Sequence, residues 1–269
     1  MAKQEIHQKP IGTREWYDFI GLMADGLQFI HVGGKSATDF LVQGCGIEKS
    51  SRVLDVGCGG GFTACRLARE FGCHVAGIDI SAVMVAQANK RAAKEDVTHL
   101  VKFRQADVFD LPFGDASFDA VLLESVLTPL PGNKLDALKE IQRVMAPGGR
   151  IGANEAVFKE EMPAEVREIL NSHPAVNEPF SEKSLREIFE KAGFTIQGWK
   201  VIEQAEAPNA MKQLGCGGLI TFMFKAYPKI LVKMLTDKRI REAGKIDDQI
   251  TKANKEYMSA ALVVASKIK

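Results

Sequence analysis

Acidic residues recur at the ends of apolar runs in this chain, and the first of them leads into a glycine-rich turn. Val53, Leu54 and Val56 around Asp55 read as the end of a buried strand, and Gly57, Gly59 and Gly61 follow it. From Thr63 to Phe71, Ala64, Leu67, Ala68 and Phe71 recur with helical spacing. A strand that passes through glycines into a helix lets backbone approach a ligand closely and aims helix N–H groups at it. Asp79 lies 24 residues beyond Asp55 and ends a second buried run, Val75-Ala-Gly-Ile-Asp79. An acid there can accept both hydroxyls of a ribose bound across the switch point of a doubly wound sheet. Two cofactor classes use that geometry. The dinucleotide fingerprint G-x-G-x-x-G needs its last glycine where Phe62 stands, so it fails. The pattern present is D-x-G-x-G-x-G, with Asp55 leading.

The elements that must position these residues alternate regularly. Trp16, Phe19, Ile20, Met23, Leu27 and Ile30 mark one face of a helix from about Thr13 to Ile30. After His31-Val-Gly-Gly-Lys35 a second helix carries Ala37, Phe40, Leu41 and Val42. Ser81 caps a helix reaching about Lys94, with Ile80 at its mouth. A third strand spans Val101 to Val108 and carries Asp107 near its end, and a fourth, Phe118 to Leu123, is closed by Glu124 and Ser125. Leu135, Leu138, Ile141 and Met145 form a helix stripe stopped by Pro147-Gly148-Gly149. A fifth strand, about Arg150 to Val157, holds Glu155; a short helix near Pro163 to Leu170 and a capped helix from Ser181 to Ala192 precede a sixth, Thr195 to Glu203. The last strand is Met258 to Lys267. Alternating strands and helices with short loops predict a doubly wound, mainly parallel seven-stranded α/β sheet.

Composition narrows the function. A 269-residue chain with 46% hydrophobic and 26% charged residues is an ordinary globular protein, and a net charge of +1 gives no field to recruit nucleic acid. Five cysteines in no zinc-like spacing suit reduced thiols in a cytosol, and no metal is expected. The first ten residues lack the apolar core of a secretory signal, and no apolar run is long enough to span a membrane. A cytoplasmic protein is the expectation.

The D-x-G-x-G-x-G turn resembles motif I of the class I S-adenosylmethionine-dependent methyltransferases, with Asp79 as their motif II acid. The resemblance implies S-adenosylmethionine as cofactor and S-adenosylhomocysteine as product. It places Asp55 and the glycines at the methionine end, Asp79 and Ile80 at the ribose, and Asp107 and Val108 at the adenine. His31-Val-Gly-Gly is similar to an H-x-G-G element found before motif I in small methyltransferases, which implies that Gly33 and Gly34 lie against the methionine portion. R-V-M-A-P-G-G-R-I (143–151) is similar to the family's turn into strand five. Glu124 and Glu155, just past strands four and five, project toward the methyl group in that topology, where either is a candidate base or charge stabiliser; His31 is a third catalytic candidate. The [DNS]-P-P-[YFW] stretch of nucleic-acid N-methyltransferases is absent after strand four, so the chain looks most like the small-molecule and lipid-quinone or sterol-type branch. An NAD(P)-dependent oxidoreductase and a non-catalytic cofactor-binding protein are the rival classes.

About fifty residues, 205–255, separate strands six and seven where a short hairpin would suffice. We therefore divide the chain into an N-terminal helical cover (1–45), a core (46–204 with 256–269) and a helical insertion (205–255) emerging on the active-site face. Its apolar part, including Phe222, Met223, Phe224 and Tyr227, is read as a packed cap or a lid on a small-molecule acceptor. Its lysines and arginines through 215–245 also allow contact with an anionic membrane surface.

Overall fold

Strand residues of this chain bury both faces, alternating with a period of two. Leu54, Val56, Val121 and Leu123 point to one face and Val53, Val75 and Leu122 to the other. The computed structural model describes residues 9–22, 31, 33–203 and 227–267. Its strands are β1 (Arg52–Val56), β2 (His74–Asp79), β3 (Val101–Gln105), β4 (Phe118–Glu124), β5 (Met145–Phe158), β6 (Phe194–Glu203) and β7 (Met258–Lys267). The helices are α1 (Thr13–Gly21), α2 (Gly34–Cys45), α3 (Phe62–Phe71), α4 (Ala82–Lys94), α5 (Lys134–Val144), α6 (Ala164–Ser172), α7 (Glu182–Lys191), α8 (Tyr227–Thr236) and α9 (Lys238–Tyr257).

The seven strands lie in the order β3-β2-β1-β4-β5-β7-β6. All pairs are parallel except those made by β7, which runs antiparallel between β5 and β6. The winding reverses between β1 and β4, so a crevice opens beyond their C-terminal ends. Leu138 and Ile141 of α5 with Leu185 and Phe189 of α7 cover one face. Leu41 of α2 with Ala64 and Leu67 of α3 cover the other. The expected doubly wound sheet is present.

Several boundaries differ from the sequence reading. β3 ends at Gln105, and Asp107 sits beyond it in a turn bridged to Asp110. Pro147-Gly148-Gly149 does not precede the fifth strand but is bulged within it: Phe118 pairs Met145 while Ala120 pairs Arg150. The first helix is described only to Gly21, so the parts of that expectation on Met23, Leu27 and Ile30 lie outside the described residues. So do Phe222, Met223 and Phe224. The described part of the insertion is two helices, and α9 runs directly into β7.

Gly61 shows how tightly the turn is set. Its φ is +74°, and a Cβ there would lie 2.8 Å from both Ala88 Cβ and Phe103 Cζ. We expect Gly61→Ala to cost about 2 kcal/mol or more, from left-handed strain and overpacking. Urea unfolding checks this, and an unchanged midpoint would refute the close packing of α3 on α4.

Candidate functional site

The crevice holds a cavity of about 270 Å³. Its floor is the turn after β1: Asp55, Val56, Gly57, Cys58, Gly59 and Gly60 all border it. Gly57 and Gly59 have φ of +68° and +50°, a conformation natural to glycine. A Cβ at Gly59 would meet nothing within 4 Å, so the missing side chain leaves room for a ligand against the backbone. Gly61 does not border the cavity; it serves helix packing.

Four carboxylates, Asp55, Asp79, Asp107 and Glu124, line the otherwise largely apolar cavity, and they are solvated differently. Asp79 accepts from Gly59 N–H (2.9 Å) through Oδ2 and from Ser81 N–H (2.8 Å) through Oδ1. Each oxygen keeps a lone pair for a further donor, as two ribose hydroxyls require. Burial pushes its carboxyl up from the ordinary range, against the pull of those N–H groups. Glu124 accepts from Thr38 Oγ1 (2.6 Å) and Thr63 Oγ1 (2.8 Å), and pairs with His31 Nε2 at 2.9 Å. Burial alone would raise it, but the His31 charge and these three hydrogen bonds outweigh that and hold it below the usual range. His31 Nδ1 meets the amide nitrogen of Asn154 at 2.9 Å.

Asp55 is the exception. It is 3% exposed, and its Oδ2 is buried without a hydrogen-bond partner among the described residues. Burial, then the nearby Glu124 and Asp79, push its carboxyl well up, while His31 and the N–H of Ala64 pull it down. A buried acceptor aligned with a ligand cavity and lacking a donor is suited to a ligand cation.

Two expectations change here. Glu155 does not border the cavity. It is fully buried and accepts from the N–H groups of Val126, Leu127 and Thr128 (2.8, 2.7 and 3.0 Å) and from Thr128 Oγ1 (2.9 Å). Its oxygens are spent fixing the loop after β4, whose Ser125, Val126, Pro129, Leu130 and Pro131 do border the cavity. Gly33 and Gly34 do not border it either. They start α2 in left-handed conformations, and a Cβ on Gly33 would meet Ala37 Cβ at 2.7 Å.

Ile80, Asp107 and Val108 border the cavity as expected, with Asp107 accepting from Phe109 N–H. Thr13, Arg14 and Tyr17 of α1, which the sequence did not single out within the N-terminal helix, also line the cavity. Tyr17 is polar-tipped and next to Trp16 of the apolar stripe, which is the signal that a second face of α1 meets a ligand. Arg14 is the one permanent cation among the described lining residues. Ser125, at φ +62°, is a strained non-glycine residue beside Glu124, held by its N–H to Asn154 O at 2.7 Å. Among the described residues, none of α8 or α9 borders the cavity, so Tyr227 does not take the acceptor-lining place expected of it.

A family model described as a methyltransferase domain matches residues 47–193, from the approach to β1 through the end of α7. The chain belongs to that family, the class I S-adenosylmethionine-dependent methyltransferases. It is 33% identical over 215 residues to O-methyltransferase cnsE of Penicillium expansum, covering 73% of this chain and 76% of that one. It is 39% identical over 118 residues to 27-O-demethylrifamycin SV methyltransferase of Amycolatopsis mediterranei, covering 44% and 43%. The chain spans between 30% and 65% of the length of the first four curated relatives it matches. Among solved structures it resembles the [4+2]-cyclase SpnF, with a TM-score of 0.73 at 24% identity over 97% of this chain and 98% of that one. That likeness concerns the fold.

The Asp55 carboxyl binds its proton more tightly in the fold than in the unfolded chain. It therefore removes stability as pH rises from the ordinary carboxylate range through its raised folded pKa. Asp55→Asn should raise the Tm of the cofactor-free protein near neutral pH by about 2–4 °C, the shift that about 1 kcal/mol produces in a domain of roughly this size. The gain should vanish in acid; a difference that stays flat with pH would refute it. Glu155→Gln turns an NH2 toward two of its four donors and should cost about 2–3 kcal/mol, read by denaturant unfolding.

Proposed function

We propose that this chain transfers a methyl group from S-adenosylmethionine to a small, partly apolar acceptor by in-line displacement. The observation that carries this reading is a cavity with an acid-lined floor, containing the unpartnered Asp55 carboxylate, and an apolar wall. Asp55 and the glycine turn would hold the cationic amino-acid end, Asp79 the ribose hydroxyls, and Asp107 the adenine amino group. Bound there, S-adenosylmethionine supplies a methyl already activated on a sulfonium, so the protein contributes orientation and charge.

Acid–base groups are scarce in this arrangement. Both nitrogens of His31 are engaged by Glu124 and Asn154. Glu155 is committed to the loop. A carboxylate held below its usual range is a poor proton acceptor, so Glu124 acts through its negative charge. His31 is accordingly a positioning residue for Glu124. Val126, Pro129 and Leu130 with Tyr17 form the acceptor wall and exclude water from it. Two relatives named for O-methylation support a small-molecule acceptor.

Calorimetric titration tests the cofactor half. S-adenosylhomocysteine should saturate the protein, NADH should not bind, and Asp79→Ala should weaken binding at least about tenfold by removing two charge-assisted hydrogen bonds. Transfer of labelled methyl to a panel of apolar hydroxylated compounds tests the reaction. Absence of S-adenosylhomocysteine binding would sink the reading, and tight binding without transfer to any acceptor would point to another reaction on the same fold.

A further inference from the structure

Six large apolar side chains are exposed among the described residues, and five of them lie on the ten-residue α8: Tyr227 (44%), Leu231 (42%), Val232 (58%), Met234 (37%) and Leu235 (68%). The sixth, Ile80, borders the cavity. Leu231 and Leu235 are one turn apart, with Tyr227 a turn before them and Val232 alongside, so they share one face. Lys229 and Lys233, also one turn apart, form the adjoining face and have no anionic partner among the described residues. α8 carries no acidic residue. Arg241 Nη1 donates to the carbonyl oxygens of Met234 (2.7 Å) and Leu235 (2.9 Å), capping the helix with a further positive charge.

From this pattern we propose that α8 docks on an anionic membrane surface, lying in the interface with its apolar face down and its lysines at the headgroups. A helix with an apolar face, flanking lysines and no acids has the composition that binds such interfaces. Ten residues extend only about 15 Å, half a bilayer core, so α8 lies on the membrane rather than across it. No helix among the described residues is long and apolar enough to cross one. A second copy of the chain is a poorer occupant. A two-fold contact through the apolar face would leave Lys229 and Lys233 on the adjoining face without an acid on either copy of this helix to answer them.

The docking face is tied to the site through α1. Ile230, the buried residue of α8, packs with Ile11, Trp16, Phe19, Ile240 and Ala243. The same α1 presents Thr13, Arg14 and Tyr17 to the cavity. One helix therefore separates a docked bilayer from the acceptor wall. Docking itself needs neither cofactor nor acceptor, so it stands independently of the methyl-transfer reading.

Sedimentation with phosphatidylcholine vesicles, with and without phosphatidylglycerol, tests the proposal at low salt and at ~0.5 M salt. The protein should pellet with the phosphatidylglycerol vesicles and be partly released by salt. Lys229→Gln and Lys233→Gln should each weaken partitioning about fivefold. Leu231→Ser with Leu235→Ser should weaken it at least about tenfold. All four positions are exposed, so circular dichroism and Tm should match the parent and show that folding is intact. Absence of binding at low salt, or binding equal in parent and variants, would overturn the proposal. So would a dimer in size-exclusion chromatography that the leucine variant dissolves, which would assign the face to self-association.

Discussion

The site depends on how a folded chain solvates carboxylates that it has taken out of water. Asp55, Asp79, Glu124 and Glu155 gather toward the C-terminal ends of β1, β2, β4 and β5, where burial penalises each charge and, at Asp55, the neighbouring Glu124 and Asp79 add repulsion. The donors recruited to answer them account for much of the local structure. Gly59 and Ser81 turn their N–H groups to Asp79, the loop after β4 wraps its backbone around Glu155, and His31, Thr38 and Thr63 converge on Glu124. Only Asp55 is left short, and it faces the cavity.

A division of labour follows. Groups with titratable chemistry are mostly consumed in holding other groups, which suits a reaction whose leaving group is already activated. The cavity's shape then rests on the strained turn at Ser125, the proline-containing loop anchored by Glu155, and the inner face of α1. A change at Glu155 would move that wall without the residue bordering the cavity.

The fold was legible because apolar runs, glycine turns and caps repeat in a strict order. Ser81 does accept from Met84 N–H, and Ser181 caps α7. The cavity floor was equally legible, since a glycine turn between an acid-tipped strand and a helix is a local pattern. The remaining walls were not. Whether Glu155 faces a ligand or a loop depends on β5 reaching past β4, a tertiary fact invisible in the spacing of carboxylates. The Gly33-Gly34 pair looked like a ligand cradle but answers a crowding demand from Ala37. Tyr17 and Arg14 were hidden because helical periodicity reports the face of α1 that meets protein and says little about the other.

The antiparallel strand inserted next to the sheet's far edge bears on how the molecule is made. β6 pairs with no strand but β7, and β7 lies between it and β5. On the ribosome, β6 is synthesised some fifty residues before its neighbour, and until β7 emerges the edge of β5 stands open. An open apolar strand edge invites pairing with other chains. The sheet therefore closes last at its centre-right seam, from the final strand inward, and the nascent chain carries an unpaired β6 through the whole translation of α8 and α9.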